Sequence, residues 1–206
     1  MILCFKEALI VVLKDDFMND IKQVGSYCIE VEPIGPQDRE FLVHMHSLIT
    51  IDGYLNETKL ISSMMDDLQC LEEKYTEYTY MVFPFFVRFL YKKNGLYKKS
   101  LFIGLEEDTY HVEITHTCPY CLSTLTENKD LELCQYESLI NEGANILLMR
   151  YLAITNFEGI LNFQNITISG STTTCDYEKR EVKSTEMIYN LIDADLYRVT
   201  KYKTTW

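Results

Sequence analysis

The sequence predicts an α+β fold in which an antiparallel sheet, built on hairpin and meander strands over about residues 77–116, packs against two to four helices. Three observations support this prediction. Asn94-Gly95 separates two apolar runs, which is typical of a β-hairpin with a type I′ turn. Residues 57–75 repeat apolar side chains at helical spacing. The chain has 206 residues, 47% of them hydrophobic, which is enough for one core, so we expect a single globular domain over residues 1–206.

The N-terminal quarter of the chain predicts mainly strands. Residues 5–22 have mixed apolar spacing and fit either a helix or a strand followed by a helix. Residues 27–31 predict a strand that stops at Pro33, after which Gly35-Pro36 turns the chain. Residues 40–51 predict a second strand, which Asp52-Gly53 ends.

The clearest helix prediction runs from about Glu57 to Tyr75, with Asn56 as a candidate N-cap. One face of this helix would be acidic and the other apolar. The apolar face would contain Leu60, Ile61, Met64, Met65, Leu68 and Leu71.

The predicted hairpin at Asn94-Gly95 has residues 81–91 as its first strand and continues into residues 101–103. In this register Lys92 lies opposite Tyr97 and Tyr91 opposite Lys98, where ammonium–ring contacts would help to fix the pairing. Pro84 predicts a bulge or a sheet edge in the first strand. Residues 110–116 predict a third strand of the same sheet.

The C-terminal part predicts a mixture of helices and strands. A second helix is expected over about Lys129–Asn141, ended by Gly143, and residues 146–154 are apolar enough for a buried helix or strand. Short strands are expected at residues 160–163, 166–168 and 180–182, followed by an amphipathic helix near residues 185–192.

The charge and cysteine content restrict the functional class. A formal net charge of −12 would repel the phosphates of nucleic acids and anionic membranes, so we expect neither as a partner. Seven cysteines, most of them isolated in sequence, are poor material for a disulfide framework. There is no run of about 18 apolar residues that could span a membrane. We therefore expect a cytoplasmic protein.

The tetrapeptide Cys118-Pro119-Tyr120-Cys121, which follows a predicted strand, is the strongest chemical motif. It resembles the active-site motif of glutaredoxins, in which the motif opens a helix that lowers the pKa of the first cysteine. The resemblance implies that Cys118 is the attacking thiol and Cys121 the resolving one. It covers these four residues and the strand before them, and no proline follows Pro119 to supply the cis-proline loop of that family.

Zinc is the alternative interpretation of the same motif, because two thiolates in a C-x2-C turn converge on one tetrahedral ion. His116 lies two residues before the motif, and Cys134 lies in the next predicted helix. The predicted zinc ligands are His116, Cys118, Cys121 and Cys134, with free thiols as the simpler outcome.

Two further candidates have simpler structural explanations. His44-Met45-His46 would place two imidazoles on one face of a strand, where His111 and Glu113 could complete a metal site, although half-buried histidines are commoner. Basic residues around the predicted hairpin tip would bind an acidic partner or a nucleic acid, or simply protect a sheet edge. They are Arg88, Lys92, Lys93, Lys98 and Lys99.

No phosphate-binding glycine loop, G-x-S-x-G elbow or H-E-x-x-H helix is present, which lowers the expectation of a familiar enzyme. The leading hypothesis is an acidic cytosolic protein that binds another protein with a basic surface. An inhibitor of the immunity-protein or phage and viral anti-defence type fits it best. The alternative is a small enzyme that depends on zinc or on the Cys118/Cys121 dithiol.

Overall fold

A computed structural model describes residues 4–14, 21–35, 39–51, 53–81, 95–118, 123–135, 139–155, 160–166, 168, 172–178, 189–193 and 196–199. Eight strands form one antiparallel sheet, in which each strand lies next to its neighbours in sequence. The strands are β1 (Phe5–Lys14), β2 (Ile21–Ile34), β3 (Glu40–Ile51), β4 (Tyr54–Met65), β5 (Cys70–Met81), β6 (Gly95–Glu106), β7 (Thr109–Thr117) and β8 (Thr124–Glu132).

Alternation of apolar and polar side chains explains the central strands. In β3, Phe41 and Val43 are buried on one face, and in β7 the buried set is Tyr110, Val112 and Ile114. Successive side chains of a strand point to opposite faces, so this spacing buries one face of the sheet. Pro33 does not stop β2, because the described part of β1 begins opposite Val31, and beyond it β2 is paired, among the described residues, with β3 only.

One helix, α1 (Glu142–Thr155), covers the buried face over β2 to β5. Arg150 of α1 contacts Glu7 and lies 3.7 Å from the centre of the Phe5 ring, which also ties the helix to β1. The core under the helix contains Ile29, Val31, Phe41, Val43, Leu60, Met64, Ala144 and Leu147.

A second buried cluster lies on the same face over β5 to β7, where segments after β8 cover it. A 3₁₀ turn at Leu133–Gln135 leads from β8, and β9 (Ile160–Ile166) pairs with β10 (Thr172–Glu178). The cluster contains Cys70, Leu101, Ile103, Tyr110, Val112, Ile114, Leu139 and Ile166. β11 (Tyr189–Asp193) and β12 (Leu196–Val199) form a separate two-stranded ladder. No helix among the described residues is long and apolar enough to cross a membrane.

The α+β prediction with two to four helices is wrong, since the described chain is an antiparallel meander with one α-helix. The predicted helix from Glu57 to Tyr75 is instead two strands, β4 and β5, joined by a turn in which Leu68 has a φ of 71°. Leu60, Ser62 and Met64 alternate inward with exposed Ile61, so the apolar residues fit a period of two as well as a helical one.

The second predicted helix, Lys129–Asn141, is also wrong. Its first residues belong to β8, its middle contains the 3₁₀ turn, and Gly143 lies in the first turn of α1 instead of ending a helix. The predicted helix near residues 185–192 overlaps β11, with residues 185–188 outside the described part. Helix α1 fulfils the prediction of a buried element over residues 146–154.

The predicted hairpin register around Asn94-Gly95 is wrong at Lys98. This residue lies opposite Tyr78 of β5 on one side and opposite Thr117 of β7 on the other, so neither side is left for Tyr91. Tyr97 lies opposite Thr79, and Lys98 lies opposite Tyr78 with its Nζ 5.9 Å from that ring centre. Asn94, Pro84, Tyr91 and Lys92 lie outside the described residues.

The strand predictions for residues 27–31, 40–51 and 110–116 are confirmed by β2, β3 and β7. Residues 160–163 lie in β9, while residues 180–182 lie outside the described ranges. The single domain over residues 1–206 stays a prediction.

Candidate functional site

The sheet has two faces of different character. We call the face that carries α1 the inner face and the opposite one the outer face. Leu60 and Ser62 of β4 are buried on the inner face, whereas the alternate residues Lys59 and Ile61 are exposed on the outer face. The register then assigns every paired residue to one face, because residues opposite each other in neighbouring strands share a face.

Among the described residues, the most buried carboxyl group is that of Glu73 on β5, with 1% of the residue's surface exposed. It lies opposite Ser62 and accepts a hydrogen bond from the backbone N–H of Gly143 at 2.9 Å. Burial raises the pKa of Glu73 to about 7, against the lowering effect of the Gly143 N–H. A carboxyl group sealed in this way can cap the helix, but it cannot contact a substrate unless α1 moves.

Gly143 is required at this contact by the space available. A Cβ atom built on Gly143 would lie 2.3 Å from the Cβ of Ser62 and 2.5 Å from its Oγ. The glycine thus allows the start of α1 to lie directly on β4. Nearby Cys70 is also buried, and desolvation raises the pKa of its thiol to about 12, which makes it a poor nucleophile.

A polar network lies on the outer face around Glu57 of β4. One oxygen of Glu57 is 2.8 Å from His46 Nε2 and 2.9 Å from Lys59 Nζ, and the other accepts a hydrogen bond from the Tyr80 hydroxyl at 2.7 Å. Hydrogen bonds from Lys59 and then from Tyr80 lower the pKa of Glu57 to about 2. The Lys59 ammonium is also 5.4 Å from the ring centre of Tyr78. This network fixes four side chains on three strands.

A depression of about 340 Å³ lies next to this network. Its lining contains positive, negative and apolar side chains. None of the lining residues is a buried charged group without a partner, which would favour one kind of ligand. The lining residues on the outer face are Lys6, Cys28, Glu30, His44, His46, Lys59 and Ile61.

His44 and His46 share the outer face as predicted for a strand, but His111 and Glu113 are on β7, four strands away from β3. Four strand spacings of about 4.8 Å separate them by roughly 19 Å, which is too far for a shared ion. His111 Nδ1 is instead 2.7 Å from Asp130 of β8. The histidines therefore belong to two separate places on the outer face.

The predicted zinc ligands are only partly brought together. His116 is near the end of β7, and the Cys118 N–H donates to the Ser123 carbonyl at 3.0 Å, in the connection that leads to β8. Cys134 follows the far end of β8, roughly 30 Å from Cys118 for a strand of this length. Cys121 lies outside the described residues. In the part of the chain that the structure describes, no group of three or more metal-binding side chains converges.

The glutaredoxin resemblance does not extend to the surrounding structure. The motif follows strand β7, as that resemblance implies, but residues 124–132 form strand β8 where a glutaredoxin would have a helix. A helix N-terminus that would lower the pKa of Cys118 is therefore not provided by the residues that come directly after the motif.

Acidic side chains collect at one end of the sheet. The β2–β3, β4–β5 and β6–β7 connections and the end of β8 all lie at this end, as the register shows. Arg39 lies there too and pairs with Asp66 at 3.5 Å. We call this end the acidic rim. It consists of Glu40, Asp66, Asp67, Glu72, Glu106, Glu107, Asp108, Asp130 and Glu132.

Lysines lie toward the opposite end of the same strands. Lys98 joins Lys59 near the Tyr78 ring, and the Nζ of Lys99 is 5.7 Å from the Tyr97 ring centre. Of the predicted basic tip, Lys98 and Lys99 are described, while Arg88, Lys92 and Lys93 are not. These lysines lie among acidic side chains, since Lys59 is 2.9 Å from Glu57 and Lys99 lies opposite Glu77.

The sequence shows Asp66-Asp67, Glu72-Glu73 and Glu106-Glu107-Asp108 as acidic clusters, but it does not show that Glu73 is buried or that the clusters meet at one end of the sheet. Glu72-Glu73 and the acidic pairs elsewhere are indistinguishable in sequence from ordinary solvated surface. The alternation of Leu60, Ser62 and Met64 was the one local signal that residues 54–65 form a strand. The gathering of distant turns at one end follows only from the meander.

Comparison with known proteins gives one match. Residues 1–196 match the family described as Ciliogenesis-associated TTC17-interacting protein, N-terminal domain. Comparisons with curated proteins and with solved structures give no match.

Proposed function

Because the chain belongs to the family of the N-terminal domain of the ciliogenesis-associated TTC17-interacting protein, we propose that it is a protein-binding domain whose partner docks a basic surface on the acidic rim. The family match carries the first half of this proposal, since the family is described by a protein interaction. TTC17, the protein named in that description, is the partner to test first. We further propose that the protein acts in the cytoplasm and without catalysis.

The acidic rim supports the second half of the proposal. Its residues are mostly exposed, and three turns present them side by side although they are far apart in sequence. A cluster of charges of one sign attracts a partner surface of the opposite sign and helps to set its orientation. Dissolved salt screens this attraction and weakens it. The overall charge of −12 adds to the same attraction at long range.

The more specific hypothesis of an immunity-type or anti-defence inhibitor gains no support from the family match, so the proposal keeps the binding role alone. A dithiol enzyme is not proposed as a second function, because strand β8 follows Cys118 in place of the helix that such chemistry uses.

The proposal is tested by measuring the affinity of this chain for purified TTC17 with two charge-reversal variants. The rim variant carries Glu72→Lys and Glu107→Lys, both at exposed positions of the acidic rim. The matched control carries Glu30→Lys and Glu113→Lys, which lie on the outer face outside the acidic rim and change the net charge equally.

We expect the rim variant to weaken binding roughly tenfold or more, because its charges would lie inside the contact. The control variant should weaken binding less than about threefold, because its charges would lie outside the contact. Rising salt should weaken the wild-type complex and have less effect on the rim variant. Equal loss in both variants would mean that only the net charge matters and would refute the rim as the docking surface. No binding of TTC17 by the wild type would refute this choice of partner.

A further inference from the structure

Strand β8 forms one edge of the eight-stranded sheet. All nine of its residues pair with β7, from Thr109 opposite Glu132 to Thr117 opposite Thr124, without a register shift. Its side chains are exposed on both faces, apart from the half-buried Leu131. Over the described ranges, no other strand is hydrogen-bonded to the outer side of β8. That side therefore presents the backbone groups of a regular strand.

β8 contains neither the proline nor the bulge that commonly interrupts a sheet edge. Four of its nine residues are charged, so any strand that pairs with it must match those charges. At the opposite edge, β1 has a bulge between Val11 and Val12 and lies close to β12. Of the two edges of this sheet as the structure describes them, the β8 edge is the regular one and is long enough to pair with another strand of equal length.

The sequence of β8 is complementary to itself in the antiparallel direction. If two copies pair with Asn128 opposite Asn128, each Glu127 lies opposite the other copy's Lys129, and each Leu125 opposite the other copy's Leu131. These pairs lie on the inner face, as their partners Ile114, Val112 and Tyr110 on β7 show. Opposite charges and apolar pairs directly across a ladder are both stabilising.

Neighbouring registers lose this complementarity. Moving the centre of the pairing to residue 127 places Glu127 opposite Glu127, and moving it to residue 129 places Lys129 opposite Lys129. Like charges directly opposite each other are destabilising in a sheet. The charge pattern therefore selects the register centred on Asn128.

We propose that two copies of this chain associate through β8, antiparallel and about a two-fold axis at Asn128, so that one sheet continues through both. Such an interface is isologous, because the same strand acts on both sides. The strand that pairs with this edge belongs to a second copy of the chain and not to a different protein. The reason is that the charged and apolar residues of β8 are complementary to those of β8 in another copy. The proposal does not depend on the identity of any other partner.

Sedimentation equilibrium of the full chain at about 0.15 M salt, over protein concentrations of about 1–100 μM, tests the proposal. The variants are Glu127→Lys, Lys129→Glu and the double variant that carries both. Each single variant puts like charges opposite each other at both symmetric contacts, whereas the double variant restores opposite charges. Glu72→Lys on β5 is the control for Glu127→Lys, because it makes the same charge change at an exposed position three strands away from β8.

We expect a wild-type dimer, a dissociation constant raised about tenfold or more in each single variant, and a double variant within about threefold of the wild type. Circular dichroism of every variant shows whether the fold is kept. A wild type that stays monomeric at about 100 μM, as it would if another segment or another protein occupied β8, overturns the proposal. A dimer that the single variants do not weaken, or that the double variant fails to restore, overturns it too.

Discussion

Glu73 of β5 and Gly143 of α1 are 70 residues apart in sequence, yet the carboxylate of the first accepts the backbone N–H of the second at 2.9 Å. The first N–H groups of a helix have no partner within the helix, and the helix dipole favours a negative group there. Asn141, whose carbonyl accepts the Asn145 N–H at 2.8 Å, begins the helix just before this contact. A side chain of the sheet thus caps the one described α-helix.

Replacing Gly143 with alanine is expected to destabilise the protein by about 1–3 kcal/mol or more, the usual cost of overpacking a rigid core. The added Cβ would lie 2.3 Å from the Cβ of Ser62, so the helix would have to move off β4. The free energy of unfolding in urea measures the effect.

Ser62→Gly provides the matched background for that substitution, because it removes the Cβ that the alanine would meet. We expect Gly143→Ala to cost less in the Ser62→Gly background than in the wild type. If the two costs are equal, the contact between α1 and β4 is not as close as described.

Glu73 makes the stability depend on pH. Its folded-state pKa of about 7 lies above the ordinary value of 4.5, so the folded protein holds this proton more tightly than the unfolded chain. The contribution of this bound proton to the free energy of unfolding is fully present below about pH 4.5. It is lost as the pH rises through about 7, and the loss is at most roughly 3 kcal/mol. Urea unfolding at pH 5 and pH 8 should therefore give the lower stability at pH 8.

Glu73→Gln should remove most of that difference. Part of the difference between pH 5 and pH 8 should persist, because burial also raises the pKa of the neighbouring Glu142. The Cys70 thiol adds little to it, because this thiol stays protonated in the folded protein at both pH values. An unchanged difference between pH 5 and pH 8 in the variant would contradict the assignment to Glu73.

Glu57→Gln on the outer face should lower stability at pH 7 by about 1–2 kcal/mol, because it weakens charge-assisted hydrogen bonds to Lys59 and Tyr80. The folded-state pKa of about 2 is below the ordinary value, so the contribution of the carboxylate is present above about pH 4.5 and fades as the pH falls toward 2. Thermal unfolding at pH 7 and pH 3 checks this. Glu113→Gln, at an exposed position of the same face, should change little at either pH.

Zinc binding at the Cys118 motif stays a prediction, and Cys134 should not take part in it. Because Cys134 lies at the other end of β8, Cys134→Ser should leave the zinc content of protein purified without chelator unchanged, whereas Cys118→Ser should abolish any bound zinc. Metal analysis of the two variants measures this. Loss of zinc in Cys134→Ser would require a different course of the chain around the motif.

Several strands with one buried face were predicted correctly from the sequence. Other strands were mistaken for helices, because their apolar residues fit both a helical and a strand pattern. Residues 40–51 were predicted as a strand and β3 has those bounds, with Phe41, Val43 and Ser47 buried on one face. In residues 57–75 the apolar side chains fit both periods, and pairing with β3 and β6 decided in favour of strands. For the candidate site, His44 and His46 could be placed on one face, but the distance to His111 depends on how many strands lie between.

By itself the sequence determined the acidic charge, the lack of familiar catalytic motifs and the local strands, because these depend on composition and on neighbours along the chain. The tertiary structure alone decided that Glu73 is buried under Gly143, that Cys134 is far from Cys118, and that distant turns form the acidic rim. These relations depend on which strands pair and in what register. Which strands pair, and in what register, depends on how much apolar surface the whole sheet buries. A short stretch of sequence does not reveal that total.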